Sequence, residues 1–152
     1  MNHSLALQGA RSQLVRQLIY FDEEKIHFLD QYFPDYNQKR AEVERKLAEY
    51  SAWLERLLQA FDEERLHERA LIGSRLDVEF DGEGVGESFT IVFPPYADPE
   101  QNRVSFLSPV GFQLLMAKAG ERCRLLLPSG EAEVEVHSVR YVNRGDVPGG
   151  AA

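Results

Sequence analysis

The sequence contains very little cysteine, and almost all of its proline lies in the second half. Cys123 is the single cysteine among 152 residues, which excludes an internal disulfide and a cysteine metal cluster. It stands in the segment RCRLLL, where we expect a half-buried strand residue rather than a reactive thiol. Pro34 is the only proline before Pro94, so the first half can form long uninterrupted helices.

Long apolar runs and an excess of positive charge are also missing. No apolar stretch approaches the roughly 18 to 20 residues that span a bilayer, and the N-terminus has no signal-peptide pattern. We therefore expect a cytoplasmic protein of bacterial type with no membrane partner. Acidic residues outnumber basic residues 25 to 17, for a formal net charge of -8. Because binding to duplex nucleic acid needs clustered lysine and arginine, any contact with nucleic acid is expected to be indirect.

Residues 4–68 are rich in strong helix formers and contain no glycine after Gly9. In the second part of this segment the apolar residues are spaced alternately four and three apart, as in a helix that packs lengthwise on another helix. They are Val43, Leu47, Tyr50, Leu54, Leu57 and Phe61. We call such a line of apolar residues a seam. The first part has a less strict seam, made of Leu7, Ala10, Leu14, Leu18, Phe21 and then Ile26 or Phe28. Two such seams predict an antiparallel coiled-coil hairpin over residues 1–70.

The bend of the hairpin is predicted in the stretch YFPDYNQK, with the tip at about residues 30–38. Pro34 cannot continue the first helix and suits the first turn of the second. Each arm would be roughly 40 Å long at about 1.5 Å per residue, too long for the remaining part of the chain to cover. The sequence therefore predicts a hairpin that projects from a compact body. It also predicts a monomer, because the two seams satisfy each other.

From residue 71 to residue 143 the sequence changes to short alternating apolar segments of strand length. They are SRLDVEF, ESFTIVF, RVSFL, RCRLLL and AEVEVHSVRYV, separated by DGEGVG, PPYADPEQN and PSGE as turn-forming or connecting segments. Between the third and fourth strands, Ser108 can cap a short helix that starts at Pro109 and runs to Lys118. We predict an α+β protein in which the hairpin is followed by one small antiparallel sheet with one helix, and in which residues 144–152 form a flexible tail.

Several of these segments occur together in one known family. The stretches GSRLDVEF and FTIVFPPYADPEQNRVSFLSPVGFQLLMAKAGERCRLLLPSGEAEVEVHSVRY, with LQGARSQL in the first helix, resemble the GreA/GreB transcript cleavage factors of bacterial RNA polymerase. The resemblance covers residues 5–142 and is strongest from Gly73 onward. It implies an FKBP-like fold for residues 71–143 and a factor that is not itself an enzyme but at most stimulates the endonuclease activity of the polymerase.

The resemblance also implies a way of working. The C-terminal domain would sit near the mouth of the secondary channel of RNA polymerase, and the hairpin would enter that channel toward the active centre. In this family, acidic residues at the hairpin tip help to hold the second catalytic Mg²⁺. No cofactor is therefore expected beyond a Mg²⁺ ion shared transiently with the polymerase. For polymerase binding the resemblance points to Ser108, Pro109 and Gly111, with Phe112 as a candidate apolar anchor.

The predicted tip departs from the family pattern, which has an Asp, a Glu three residues later and then an Asn. Asp35 matches the Asp, but Gln38 and Lys39 occupy the positions of the Glu and the Asn. An amide oxygen is a much weaker ligand for Mg²⁺ than a carboxylate. We therefore expect a regulator of elongation that binds the polymerase, stimulates cleavage weakly or not at all, and holds no metal stably.

Three alternatives remain open at this point. A fully active cleavage factor would use Asp35 together with Asp30 or Glu42 as oxygen ligands, although the hairpin is shorter than is usual in the family by roughly one helical turn per arm. A prolyl isomerase would need an aromatic-lined cavity, which the sequence does not indicate. A protein of the Rnk branch would have a much shorter hairpin than these seams predict.

Overall fold

The computed structural model describes residues 2–82, Gly84 and residues 86–149, with side chains from Leu5 onward. Within these residues, the helices of the first half are α1 (Asn2–Glu23), α2 (Lys25–Tyr32), α3 (Gln38–Gln59) and α4 (Glu63–Leu66). The second half contains β1 (Ser74–Phe80), β2 (Gly86–Val92), β3 (Arg103–Ser105), α5 (Pro109–Leu114), β4 (Arg122–Leu127) and β5 (Gly130–Tyr141). No helix in the described ranges is long and apolar enough to cross a membrane.

The predicted hairpin forms from α1 and α2 as one arm and α3 as the other. The seam of α3 is buried as expected, through Val43, Leu47, Tyr50, Leu54 and Leu57. On the first arm, Phe28 is 1% exposed and Ile26 is 57% exposed, so the seam continues through Phe28. Helical hydrogen bonding crosses the break at Glu24, whose N–H donates to the carbonyl of Tyr20 and whose carbonyl accepts from the N–H of Phe28.

The second arm begins later than the sequence suggests. Pro34 was expected in the first turn of the second helix, but it lies in the connection, and α3 starts at Gln38. Asn37 is the residue that caps this helix, because its side-chain oxygen accepts a hydrogen bond of 3.1 Å from the N–H of Arg40. The side-chain oxygen of asparagine can accept a hydrogen bond from a free N–H in the first helical turn. The side chain of Pro34 has no such oxygen, so the helix starts after Asn37.

The five strands found among the described residues form one sheet in the order β3-β2-β1-β5-β4. Strand β1 pairs antiparallel with β2 and β5, and β4 pairs antiparallel with β5, as predicted. Strands β2 and β3 are parallel, so the prediction of a wholly antiparallel sheet was wrong for this pair. The connection between them contains two 3₁₀ turns, Pro94–Tyr96 and Pro99–Gln101. It brings the chain back to the level of Thr90, which pairs with Arg103, and β3 then runs beside the last residues of β2 in the same direction.

Helix α5 is shorter than predicted. Ser108 caps it and Pro109 is its first residue, but it ends at Leu114 rather than at Lys118. Met116 has a left-handed backbone with φ of 73°, and its N–H donates to the carbonyl of Ala70 at 2.7 Å. The N–H of Ala70 in turn donates to the carbonyl of Ala117 at 2.8 Å. Hydrogen bonds to the segment that precedes β1 thus replace the last helical turn.

The hairpin does not project from the rest of the chain; it lies along it. Phe21 and Phe28 of the first arm form a buried aromatic cluster with Phe93, which follows β2, and Phe106, which follows β3. The expectation of a projecting hairpin was wrong because a heptad pattern shows which face of a helix is buried but not every surface that covers it. An amphipathic helix can bury a second side against a sheet when that side carries aromatic residues.

A buried polar junction fixes the base of the hairpin. The hydroxyl of Tyr50 donates to the side-chain oxygen of Gln17 and accepts from the N–H of Ile72 at 2.9 Å. The amide nitrogen of Gln17 donates to the carbonyl oxygens of Ile72 at 2.8 Å and Gly145 at 2.9 Å. The sequence predicts a flexible tail from residue 144, but in the structure Gly145 is buried and hydrogen-bonded to α1, and residues 150–152 lie outside the described part.

Candidate functional site

The tip of the hairpin is the connection between α2 and α3, residues 33–37. Asp35 is a turn residue there, and its carbonyl oxygen accepts a hydrogen bond of 2.9 Å from the N–H of Asn37. Asp35 is exposed, as is Gln38, the first residue of α3. The tip therefore presents one carboxylate and one neutral amide to solvent at the two positions where the family pattern has two acids.

Asp30 is held by an ion pair. Nη1 of Arg40 lies 2.9 Å from Oδ1 of Asp30 and also donates to the carbonyl oxygen of Phe33 at 2.8 Å. The side chain of Arg40 is only 5% exposed, and the ring of Tyr36 lies 4.3 Å from its guanidinium carbon. A guanidinium held in this way places a positive charge beside the carboxylate of Asp30, whose side chain is 54% exposed, and repels a divalent cation there. Arg40 was not predicted as a tip residue, although a basic residue in the first turn of the second arm is visible in the sequence.

The acids considered as Mg²⁺ ligands have three different surroundings. Asp35 lies in the exposed turn, Asp30 lies against Arg40, and Glu42 lines a cavity of about 410 Å³ beside α5. Among the described residues, no group of three or more His, Cys, Asp or Glu side chains is placed to hold a metal ion. Of these three acids, Asp35 is the one that lies in the exposed turn between the two arms.

The residues proposed for polymerase contact form the start of α5. The hydroxyl of Ser108 donates to the carbonyl of Ser105 at 2.7 Å and accepts from the N–H of Gly111 at 3.1 Å. Gly111 is buried, and a Cβ atom built there would be 2.3 Å from the carbonyl oxygen of Ser105. Glycine is therefore required for this close approach, whereas Pro109 is exposed at the first helical position.

Phe112 lies on α5, and its ring faces the second arm of the hairpin. The Nζ atoms of Lys39 and Lys46 are 4.7 Å and 5.4 Å from the centre of its ring, within the range of cation–π attraction. Burial lowers the pKa of Lys46 below its ordinary value. We call these three side chains, with exposed Leu126 and Pro109, the α3–α5 surface. Its hairpin half could not be found from the sequence, because no local pattern connects Lys39 or Lys46 with a phenylalanine so distant in the chain.

Cys123 lies in β4, half-buried as expected. Its Sγ is 3.3 Å from Oε2 of Glu121. Burial and the neighbouring carboxylate of Glu121 raise the pKa of the thiol to about 11. Because the thiolate is the nucleophilic form, this cysteine is a thiol at neutral pH and provides no nucleophile for catalysis.

A family model and two relatives of known name all point to the same family of proteins. The model of the family described as "Transcription elongation factor, GreA/GreB, C-term" matches residues 65–141. The transcription elongation factor GreA of Nautilia profundicola is 31% identical over 107 residues, which are 68% of this chain and 64% of that protein. The GreA of Roseiflexus castenholzii is 30% identical over 109 residues, which are 71% of this chain and 69% of that protein.

The chain thus spans a little under two thirds of the Nautilia protein and a little over two thirds of the Roseiflexus protein. Among solved structures, the GreA/GreB elongation factor of Nitrosomonas europaea aligns with 78% of this chain and 93% of its own, at a TM-score of 0.54 and 21% identity; this likeness concerns the fold alone. The family match over residues 65–141 and the 30% identity to the Roseiflexus protein show that the chain belongs to the GreA/GreB family.

Proposed function

We propose that this protein binds bacterial RNA polymerase as a regulator of transcription elongation and that it stimulates transcript cleavage weakly or not at all. Membership of the GreA/GreB family supports the first part. The ion pair between Asp30 and Arg40 beside the tip supports the second, since it places a positive charge against the carboxylate nearest in sequence to Asp35. The hydrolysis itself belongs to the polymerase, and the factor would lend at most one oxygen ligand.

The charges at the tip favour occupancy of the channel over assistance to a metal ion. Asp35 and Gln38 replace the pair of acids that the family pattern has, and Lys39 follows directly. A second carboxylate raises the occupancy of a weakly bound Mg²⁺, whereas a nearby ammonium lowers it. A hairpin with this tip would still occupy the secondary channel and exclude other molecules from it, and it would meet the RNA 3′ end only through the polymerase.

Entry of the hairpin into a narrow channel places a further requirement on this protein. Phe28 stacks on Phe106 with ring centres 5.6 Å apart, and Lys39 contacts Phe112. These contacts must separate before the tip can be inserted alone. The binding-competent form is then a minor population of the free protein, which reduces the apparent affinity by that fraction.

We propose that the start of α5 provides the main contact with the polymerase, through Ser108, Pro109, Gly111 and Phe112. Phe112 is half-buried and flanked by two lysines, a combination of an aromatic anchor and positive charge that suits an acidic partner surface. Phe112→Ala should weaken binding to purified polymerase at least tenfold. The matched control is Leu5→Ala, which truncates an apolar side chain that is 65% exposed on α1.

Transcript cleavage can be tested in a backtracked elongation complex with labelled RNA. We would compare the wild type, Asp35→Ala, Gln38→Glu and the control Gln59→Glu, which makes the same change at the far end of α3. We expect the wild type to bind but to release few 3′ fragments, and Gln38→Glu alone to increase the release. Strong cleavage by the wild type that Asp35→Ala abolishes would support the alternative of a fully active factor.

A further inference from the structure

The segment that follows the last strand runs back onto the first arm of the hairpin. Strand β5 ends at Tyr141, which is also the last residue of the family match. We call residues 143–149, which lie beyond that match, the strap. At its start, the side-chain nitrogen of Asn143 donates a hydrogen bond of 3.1 Å to the carbonyl oxygen of Ala6 on α1. The strap therefore contacts the hairpin near the beginning of α1.

Two glutamines of α1 bind the main chain of the strap. The amide nitrogen of Gln13 donates to the carbonyl oxygen of Asn143 at 3.0 Å, and its side-chain oxygen accepts from the N–H of Gly145 at 3.2 Å. One turn further along α1, the amide nitrogen of fully buried Gln17 donates to the carbonyl oxygen of Gly145 at 2.9 Å. Both backbone groups of Gly145 are therefore hydrogen-bonded to α1.

This contact requires glycine at residue 145. Gly145 is buried. A Cβ atom built there would lie 2.5 Å from the carbonyl oxygen of Ile72 and still closer to the hydroxyl of Tyr141 and the amide nitrogen of Gln17. Even the smallest added side chain would therefore push the strap away from α1.

The end of the strap lies beside the buried aromatic cluster. The carbonyl oxygen of Val147 accepts a hydrogen bond of 3.2 Å from the hydroxyl of Tyr96. Val147 and Pro148 also line a groove of about 440 Å³ together with Tyr20 of α1, whose ring centre is 5.5 Å from that of Phe93. The strap thus connects α1 to the part of the chain that carries the aromatic cluster.

The two arms of the hairpin are attached to the sheet in different ways. Residues 60–73 join α3 directly to β1, so this connection persists whatever the hairpin does. Helix α1 is held to the second half of the chain by non-covalent contacts, which are the aromatic cluster, the junction at Gln17 and the strap. Because residues 60–73 form the covalent connection, a hairpin that loses these contacts can turn about them.

We propose that the strap holds the hairpin along the sheet and that its detachment shifts the protein toward a form in which the hairpin points away. Hydrogen bonds to main-chain groups make up most of the contact, and Arg144 and Asp146 are exposed. Water can therefore replace the strap without exposure of a large apolar surface, as in segments that open locally. The use of this movement for polymerase binding rests on the proposed function, whereas the restraint itself does not.

The first test measures the position of the hairpin in the free protein. Spin labels would be attached at Tyr36→Cys on the tip and Glu131→Cys on β5, in a Cys123→Ser background, and their separation measured by electron paramagnetic resonance. With the native strap we expect one short distance, because the tip lies beside α5. Gly145→Ala and a deletion of residues 144–152 should each increase a longer-distance population at least tenfold.

The matched controls leave the contact with α1 intact. They are Arg144→Ala, at the exposed residue next to Gly145, and a deletion of residues 150–152 only. Both should keep the short distance. Circular dichroism of every variant shows whether it is folded, and the deletion keeps the test informative if Gly145→Ala does not fold.

The second test fixes the strap covalently. A Cβ atom on Gly9 would lie 3.2 Å from the side-chain nitrogen of Asn143, so Gly9→Cys with Asn143→Cys, again with Cys123→Ser, can form a disulfide between α1 and the strap. Binding of the oxidised and reduced forms to purified RNA polymerase would be compared by fluorescence titration. We expect the oxidised form to bind at least tenfold more weakly than the reduced form, and Cys123→Ser alone to be insensitive to reductant.

The outcomes separate the two parts of the proposal. An unchanged label distance in both folded strap variants would overturn the restraint. A longer distance in those variants, with equal polymerase binding by the oxidised and reduced forms, would overturn the control of binding by the strap. A longer distance with no polymerase binding by any form, the wild type included, would support the restraint and contradict the proposed function instead.

Discussion

Phe28 of α2 lies nearly parallel to Phe106, with ring centres 5.6 Å apart and ring planes inclined by 13°. Phe28 is 1% exposed and Phe106 is fully buried. The pair joins the outer part of the helical hairpin to the segment that follows β3. With the contacts of Phe21 to Phe93 and Phe106, it holds the hairpin along the rest of the chain.

Truncation of this contact should destabilise the protein strongly. Phe28→Ala removes a buried ring that also contacts Phe21 and Tyr32, and the expected loss in the free energy of unfolding is about 3–5 kcal/mol. Urea denaturation followed by circular dichroism measures it. Tyr36→Ala, at a ring that is 84% exposed, should change the value by less than about 0.5 kcal/mol. Equal effects of the two changes would show that Phe28 is not packed as described.

Weaker stacking should favour release of the hairpin. Phe106→Leu keeps an apolar side chain but loses the ring that faces Phe28. If the hairpin separates from the sheet when the protein binds RNA polymerase, this variant should bind the polymerase more tightly, because less contact free energy is lost. A fluorescence titration with purified polymerase measures the change. Phe89→Leu, in strand β2, is the control and should not raise the affinity; an unchanged affinity of Phe106→Leu would argue against release.

The polar junction at the base of the hairpin should be sensitive to one hydroxyl group. Tyr50→Phe leaves the N–H of Ile72 and the side-chain oxygen of Gln17 without their buried partner, at an expected cost of about 1–3 kcal/mol. The comparison is Tyr96→Phe, which removes a half-buried hydroxyl bonded to the carbonyl of Val147 at 3.2 Å. Chemical denaturation of both variants should give the larger loss for Tyr50→Phe, and the reverse order would contradict the junction.

Stability should depend on the protonation of His67. Its Nδ1 accepts a hydrogen bond of 2.9 Å from the N–H of Tyr141. Burial, with a further contribution from Arg140, lowers the pKa of His67 below its ordinary value of 6.5. The unfolded chain therefore binds a proton at higher pH than the folded chain does. This contribution to stability is fully present above pH 6.5 and is lost as the pH falls from there through the lowered folded-state pKa.

Thermal melts between about pH 5 and about pH 8 can isolate this contribution. His67→Gln should flatten the dependence of the melting temperature on pH in the acidic part of this range. His137→Gln serves as the control, because the His137 side chain is 46% exposed beside Glu79. A pH dependence that persists unchanged in His67→Gln would assign it to another group.

The start of α5 should not tolerate a side chain at residue 111. In Gly111→Ala the new Cβ would meet the carbonyl oxygen of Ser105 at 2.3 Å, which requires the backbone of the loop or of the helix to move. We expect a loss of stability of about 1–3 kcal/mol and weaker polymerase binding. Gly120→Ala is not an equivalent control because Gly120 has positive φ. Gly86→Ala is the control, because its φ is not positive and its added Cβ would lie 3.5 Å from the carbonyl oxygen of Val78, an ordinary contact. Unchanged unfolding of Gly111→Ala would contradict the close approach.

The sequence predicted most of the secondary structure because repeating patterns report local burial. The seam of α3, from Val43 to Leu57, and the alternation in SRLDVEF identified a helix and a strand that the structure contains. The helix cap at Ser108 was also visible, since a serine hydroxyl directly before Pro109 can accept a hydrogen bond from a free N–H in the first helical turn. The polymerase partner, the channel and the role of Asp35 remain predictions that rest on family membership.

Contacts between distant parts of the chain had no such local signal. Periodicity left Ile26 and Phe28 as equal candidates, and the aromatic rings around Phe28, Phe106 among them, decided for Phe28. The last turn of α5 was lost to hydrogen bonds with Ala70, and Lys39 was placed beside Phe112.

The sequence alone therefore determined most of the helices and strands, though not the start of α3 or the end of α5, and the family of the chain, because these follow from local spacing and motif. The tertiary structure alone decided that the hairpin rests on the rest of the chain and that Arg40 forms an ion pair with Asp30. Such pairings depend on surfaces that meet only in the folded chain.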